Sequence, residues 1–290
     1  MVTYNQTIPE IIGRRFSCRS YDPRPIDPEL RDRLSEVLAT STVGPFGTGV
    51  RFELASAGED DLIALKGLGT YGVIKGCRGF IVGAVERGEK DMEDFGYLLE
   101  RAILFATDIG LGTCWLGGTF SRSSFSRKIS LKEGEVLPAV VAVGHIADKP
   151  RWLDSFLRRS SGADRRLSWD DLFFDGTFGK VLSVDTCGQF ATALEMVRLG
   201  PSASNKQPWR IIRDNGKWHF YLQRTSGYGD RTRALFKLAD MQRIDMGIAM
   251  CHFELTLREM GVSGEWVFAE PTVEKPDKLT EYIVTWLQKR

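Results

Sequence analysis

Residues 199–210 read Leu199-Gly200-Pro201-Ser202-Ala203-Ser204-Asn205-Lys206-Gln207-Pro208-Trp209-Arg210. Pro201 and Pro208 each fix φ and remove an amide donor, so the backbone between them cannot join a regular ladder. A helix-periodic apolar run precedes the stretch and Ile211-Ile212 follows it. We therefore predict a loop between a helix and a strand, with serine and amide side chains facing a ligand. The alternative is an ordinary turn.

The composition is that of a globular protein with mixed surface charge. The 290 residues are 42% hydrophobic, and 39 basic against 38 acidic residues give a net charge of +1. This balance disfavours nucleic acid and anionic membranes as partners. The chain has no signal-like start and no apolar run of membrane-spanning length, so we expect a cytoplasmic protein. Its five scattered cysteines and three separated histidines indicate reduced thiols and no metal site.

A basic and hydroxyl cluster lies near the start of the chain. Residues 8–19 are predicted to form a short amphipathic helix that ends in Arg15-Phe16-Ser17-Cys18-Arg19. A guanidinium group can hold a phosphate through paired hydrogen bonds. A solvated basic helix end is the alternative.

A glycine-rich segment follows the apolar helix predicted over residues 92–109. It reads Gly110-Leu111-Gly112-Thr113-Cys114-Trp115-Leu116-Gly117-Gly118. A dinucleotide fingerprint would follow a strand and open a helix, so that interpretation is rejected. A helix C-cap followed by a strand is the alternative, but it does not explain the terminal pair of glycines.

These three segments together resemble motifs of the FMN-dependent nitroreductase family. Residues 201–209 are similar to its P-S-x-x-N-x-Q-P-W signature, and residues 110–118 to its G-L-G-T-x-W-x-G-G segment. Residues 15–21 resemble its R-R-S-x-R-x-F/Y start, although Phe16 stands where the family usually has a basic residue or histidine. The resemblance implies that FMN binds here.

The resemblance also implies roles for particular residues. Arg15 would meet the flavin phosphate, Arg19 would lie near N1 and O2 of the ring, and the glycine pair would lie beside N5 or O4. Arg166, in a looser match, is a second phosphate candidate, and a solvated basic run is an equally good interpretation of it. The implied cofactor-binding residues are Arg15, Phe16, Ser17, Arg19, Leu116, Gly117, Gly118, Arg166, Pro201, Ser202, Ala203, Ser204, Asn205 and Gln207.

A pattern of glycine and tryptophan spacings in the first half of the chain recurs in the second half. Gly96, Gly110 and Trp115 are spaced as Gly247, Gly261 and Trp266 are. The first half keeps the arginine-serine cluster and glycine pair, whereas the second keeps the proline-serine-asparagine loop. We therefore predict an α+β, nitroreductase-like fold with halves at residues 1–175 and 176–290. Such a chain would be a monomer acting as a fused dimer, with one composite site. Residues 281–287 are predicted to form an edge strand on the other half.

The implied function is oxidoreduction with NADH or NADPH as reductant. Hydride would pass through flavin N5 to a small planar acceptor, a nitroaromatic or a quinone. No side-chain acid or base is required for this transfer. The competing hypothesis is a non-catalytic flavin-binding protein that acts as a store or sensor. A different reaction of the family, such as dehalogenation or flavin breakdown, is a third.

Overall fold

A computed structural model describes residues 2–57, 65, 68–148, 165–227 and 239–289. Two five-stranded sheets and the helices packed with them form a mixed α and β structure. No helix in these ranges is both long enough and apolar enough to cross a bilayer. The described residues likewise contain no group of three or more His, Cys, Asp or Glu that could hold a metal ion.

The first half builds one antiparallel sheet with the strand order β1-β2-β5-β3, and β4 pairs beside β2. Its strands are β1 (Val50–Ser56), β2 (Gly79–Glu86), β3 (Gly112–Leu116), β4 (Glu135–Val136) and β5 (Val140–Gly144). Its helices are α1 (Ile8–Arg14), α2 (Pro28–Thr40), α3 (Asp91–Asp108) and α4 (Arg122–Lys128).

The second half repeats this arrangement. The strand order β7-β8-β10-β9 matches the first sheet, and β6 is added in parallel beside β7. The strands are β6 (Phe173–Asp175), β7 (Trp209–Asp214), β8 (Lys217–Gln223), β9 (Gly264–Val267) and β10 (Thr280–Gln288). The helices are α5 (Trp169–Leu172), α6 (Phe190–Leu199) and α7 (Met241–Glu259), with 3₁₀ turns at Val184–Thr186 and Ala203–Asn205.

Two sequence-based expectations about elements are wrong. Helix α1 begins with a capping box between Thr7 and Glu10 but ends at Arg14, because the chain then becomes extended and the Cys18 amide bonds to the Thr113 carbonyl. Strand β10 is not an edge strand on the other half, since it lies between β8 and β9 of its own sheet. Its run of buried residues from Ile283 to Trp286 is typical of a strand paired on both sides.

Helices α3 and α7 pack against each other at the centre of the molecule. A side chain at Gly96 would collide with the carbonyl of Ile244, and one at Gly247 would collide with the carbonyl of Glu93. Glu93 lies three residues before Gly96, and Ile244 lies three residues before Gly247. The two helices therefore make the same contact with each other in both directions. This reciprocal contact is the pattern of an isologous interface, here formed within one chain. It brings the start of each central helix to the other half.

Candidate functional site

A cavity of about 620 Å³ lies where the two halves meet. Its volume is in the range of small-molecule and cofactor sites. The segment after α1, the end of β3, the loop after α6 and the first turns of α7 form its wall. The lining residues are Ile12, Gly13, Arg15, Phe16, Ser17, Arg19, Trp115, Gly117, Gly118, Thr119, Arg166, Leu199, Pro201, Ser202, Ala203, Ser204, Asn205, Met241, Ile244, Asp245 and Ile248.

Three sequence motifs that are far apart in the chain meet in this cavity. Of the candidates from the sequence, it is lined by Arg15, Phe16, Ser17, Arg19, Gly117, Gly118, Arg166 and all five residues from Pro201 to Asn205. Leu116 and Gln207 lie outside the lining and are buried. A role of these residues in flavin binding stays a prediction.

The loop after α6 has an unusual backbone that its neighbours hold in place. Ser204, Asn205 and Gln207 all have φ near +50°, at 50°, 53° and 47°. This left-handed region costs a residue other than glycine on the order of 1 kcal/mol. The Ser202 hydroxyl accepts a hydrogen bond from the Gln207 amide at 2.8 Å. The Asp245 carboxylate accepts one from the Ala203 amide at 3.0 Å. The loop is therefore fixed at both ends of its turn.

Gln207 explains why the loop and the segment around Arg166 lie together. Its side-chain oxygen accepts a hydrogen bond from the Leu167 amide at 2.9 Å, and its side-chain nitrogen donates to the Arg165 carbonyl at 3.3 Å. Arg166 in turn donates to the Asn205 side-chain oxygen at 3.2 Å and to the Leu199 carbonyl at 3.2 Å. Gln207 thus stabilises the cavity wall, although it does not line the cavity.

Arg15 presents a buried positive charge to the cavity. Its side chain is only 6% exposed, and its one ion pair in the described structure joins Nε to the Glu100 Oε1 at 3.8 Å. Nε has no hydrogen-bond partner among the described residues. Burial lowers the pKa of Arg15, although Glu100 opposes this shift, and a guanidinium remains charged in proteins. A buried cation with unused donors suits a phosphate.

The extended segment after α1 is held by backbone contacts on both sides. Ser17 forms a parallel bridge with Thr113 of β3, and the Lys75 amide donates to the Arg19 carbonyl at 2.9 Å. The Arg19 guanidinium donates to the Ser17 carbonyl at 3.4 Å. Because alternate side chains of an extended segment share one face, Arg15, Ser17 and Arg19 all reach the cavity.

The two glycines after β3 have different surroundings. A Cβ on Gly117 would lie 2.6 Å from Cε of Met241, so a larger residue there would displace the end of the Met241 side chain. Gly118 has nothing within 4 Å of its missing Cβ. The space beside Gly118 is therefore open, whereas the space beside Gly117 is taken by Met241.

Helix α7 contributes four residues to the cavity wall that were not predicted from the sequence. Met241, Ile244, Asp245 and Ile248 follow helical spacing along one face and line the cavity. That spacing is visible in the sequence but equally describes a core helix. Ile12, Gly13, Trp115, Thr119 and Leu199 are the other lining residues that were not predicted.

Comparisons with known proteins agree with this arrangement. A family model described as "Putative TM nitroreductase" matches residues 7–257. The chain belongs to this family. No curated protein matches the chain.

One solved structure shows the same fold over nearly the whole chain. A nitroreductase from Thermotoga maritima MSB8, described as putative, has a TM-score of 0.59 at 17% identity, with 99% of this chain and 95% of that chain covered. A nitroreductase with bound FMN from Bacteroides fragilis NCTC 9343 has a TM-score of 0.38 at 18% identity, with 51% and 92% covered. The nitroreductase-like α+β fold with two related halves, predicted from the sequence, is confirmed.

The second half of this nitroreductase-family chain does not carry the same groups at the symmetry-related position. Phe268 follows Trp266 as Gly117 follows Trp115, and Lys90 precedes Gly96 as Met241 precedes Gly247. The Phe268 ring stacks on Phe46 at 5.4 Å between centroids, and Lys90 Nζ lies 5.6 Å from the Phe268 centroid. Where the cavity wall has Gly117 against Met241, the symmetry-related position therefore has an aromatic pair.

Proposed function

We propose that the chain is an FMN-dependent oxidoreductase that uses NADH or NADPH to reduce a small planar acceptor, a nitroaromatic or a quinone. The observation that carries this proposal is the meeting of three separate motifs in one cavity of about 620 Å³. Family membership supports the proposal. Relatives from Bacteroides fragilis and Desulfitobacterium hafniense are described as having bound FMN.

The residues around the cavity fit FMN in charge and shape. The buried Arg15 guanidinium, with Arg166, the Ser17 hydroxyl and the Ser202–Asn205 turn, would hold the phosphate and ribityl chain. Arg19 would lie beside the pyrimidine edge of the ring. The apolar face of α7 and the open backbone at Gly118 would border the ring itself. No other described part of the chain gathers this set.

Bound FMN would supply the atom that accepts and donates hydride, since no protein side chain does this chemistry. The chain's own residues hold the ring, place positive charge near its pyrimidine edge and shield it from water. Asp245 is buried in the same wall, and burial raises the pKa of its carboxyl well above the ordinary value, although the Ala203 amide opposes this shift. Burial thus disfavours negative charge on the α7 side of the wall, whereas the buried guanidinium of Arg15 makes the opposite end positive.

One composite site per chain follows from the difference between the halves. The arginine-serine cluster occurs only in the first half, and the proline-serine-asparagine loop only in the second. The aromatic pair of Phe46 and Phe268 takes the symmetry-related place. We accordingly propose a cytoplasmic monomer that acts as a fused dimer and holds one FMN.

Anaerobic mixing of the FMN-loaded protein with NADH or NADPH tests the activity. We expect loss of the yellow flavin absorbance, followed by its return when a nitroaromatic or quinone is added. FMN should bind more tightly than FAD, because the phosphate meets a closed, buried arginine. An FMN-binding protein whose flavin is never bleached would be a store or sensor instead. A protein that binds no flavin, or that prefers FAD, would contradict the proposal.

A further inference from the structure

A buried polar cluster lies behind the cavity and joins the two central helices. Glu100 of α3 and His252 of α7 are both fully buried, with the Glu100 Oε1 3.0 Å from the His252 Nε2. Neither residue lines the cavity. The motifs that point to FMN do not include either of them.

The ring of His252 is held on both nitrogens. Nδ1 lies 2.8 Å from the Met196 carbonyl oxygen of α6, which can only accept, so Nδ1 carries a proton. Nε2 faces the Glu100 carboxylate, which accepts a hydrogen bond from it. The contact with the Met196 carbonyl fixes the orientation of the ring, so that Nε2 points at Glu100.

Glu100 connects this ring to two residues of the cavity wall. Its Oε2 accepts a hydrogen bond from the Trp115 Nε1 at 2.8 Å, and its Oε1 lies 3.8 Å from the Arg15 Nε. Burial would raise the pKa of Glu100, but hydrogen bonds from His252 and Trp115 and the charge of Arg15 outweigh burial and hold it below the ordinary value. The Glu100 carboxylate therefore stays ionised, with His252, Trp115 and Arg15 around it.

We propose that His252 is a positioning residue for Arg15 and acts through Glu100. This inference rests on the proposed function, in which Arg15 meets the FMN phosphate. A buried carboxylate must have its lone pairs satisfied. While His252 supplies one donor, Glu100 needs no close hydrogen bond from Arg15, and the guanidinium keeps its donors for the ligand.

Removing the His252 donor changes this balance. The Glu100 carboxylate would then turn to Arg15, and the 3.8 Å contact would become a close hydrogen-bonded pair. The guanidinium would be drawn toward α3 and away from the cavity. The consequence is specific to the phosphate end, so FMN should lose affinity while riboflavin, which has no phosphate, should not.

The measurement is the ratio of the Kd for riboflavin to the Kd for FMN, from fluorescence titration of the apoprotein. His252→Leu should lower this ratio about tenfold, as expected for a charged contact. His252→Gln, which keeps a donor for Glu100, should retain most of the ratio. Phe253→Leu is the matched control, because Phe253 is equally buried on α7 but packs on Phe220 and Trp266, and its ratio should equal that of the wild type.

The outcomes separate this inference from the proposed function. If Arg15→Ala lowers the ratio and His252→Leu does not, His252 is not a positioning residue. If the wild type and Arg15→Ala have the same ratio, the assignment of Arg15 to the phosphate is wrong and the inference is wrong with it. Should His252→Leu not fold, His252→Phe provides the same test, since it keeps a ring at this position but offers Glu100 no donor.

Discussion

Arg15 and Arg19 line the same cavity, yet their surroundings differ. The Arg15 side chain is almost fully buried beside Glu100, whereas Arg19 is partly exposed and bonds to the Ser17 carbonyl. Their residue types and spacing could be read from the sequence. Their burial could not, because Glu100 and His252 come from elements far along the chain. Nor could the packing of Met241 against Gly117 be predicted from the sequence.

Substitution of the two arginines should have separable effects. Arg15→Ala is expected to raise the Kd for FMN, because it removes a buried phosphate partner. Arg19→Ala should lower the midpoint potential of the bound flavin, since the reduced form loses roughly 1–3 kcal/mol of charged hydrogen bonding. Titration and equilibrium potentiometry measure the two quantities. Equal effects on FMN retention alone, with no change in potential, would show that the roles are misassigned.

A pH-dependent contribution to stability comes from Arg51 and Glu135, away from the cavity. Arg51 donates to both carboxylate oxygens at 2.7 Å, which lowers the pKa of Glu135 to about 2 from 4.5. A lowered carboxyl pKa adds stability above the unfolded value that is lost as pH falls through the folded value. We expect about 2 kcal/mol at pH 7, allowing for solvent screening at the partly exposed guanidinium.

Urea unfolding at pH 7 and pH 3 measures this contribution. The difference in free energy of unfolding between the wild type and Glu135→Gln should shrink by roughly half or more at pH 3. Glu53→Gln is the control, because Glu53 is exposed and lies 3.7 Å from Lys128. A gap between wild type and Glu135→Gln that is the same at both pH values would contradict the ion pair.

At the scale of elements, each central helix holds a loop of its own half with an aspartate. Asp245 of α7 accepts from the Ala203 amide, and Asp94 of α3 accepts from the Phe46 and Thr48 amides at 2.9 and 2.8 Å. Each aspartate stands two residues before the glycine of the helix crossing. Only Asp245 also lines the cavity. Substituting each of the two aspartates can therefore separate an effect on FMN binding from an effect on stability.

Asp245→Ala should release the strained loop and raise the Kd for FMN about tenfold, the effect of leaving a loop amide unsatisfied. Asp94→Ala should lower the Tm in a similar way but leave the Kd for FMN unchanged. Calorimetry and flavin titration of both variants test this. Equal losses of FMN affinity in the two variants would mean that Asp245 acts only through global stability.

The sequence predicted most elements near the cavity but not their partners. The proline pair correctly marked a loop between α6 and β7, because proline chemistry is local. The strand placement of residues 281–287 was wrong, since pairing depends on non-local contacts. The wall formed by α7 was missed because helical spacing looks the same whether a face meets a core or a cavity. The boundary at residue 175 stays a prediction.

At the scale of the whole molecule, the reciprocal glycine crossing joins the halves and with them the cavity walls. Gly247→Ala would push a methyl group into the Glu93 carbonyl. We expect a loss of about 1–3 kcal/mol or more in stability, together with weaker FMN binding, because α7 moves relative to α3. Gly88→Ala, whose nearest contact would be 3.8 Å away, is the control and should change neither quantity. A Gly247→Ala protein of unchanged Tm would contradict the crossing.

In the proposed function, one chain builds one complete flavin site from its two halves. The most direct measurement is the FMN released on denaturation per mole of chain, with the mass of the native protein from light scattering. We expect one FMN per chain in a monomer, since Arg15 and Ser17 occur in one half and residues 201–205 in the other. Two FMN per chain, or binding that requires association of two chains, would contradict it.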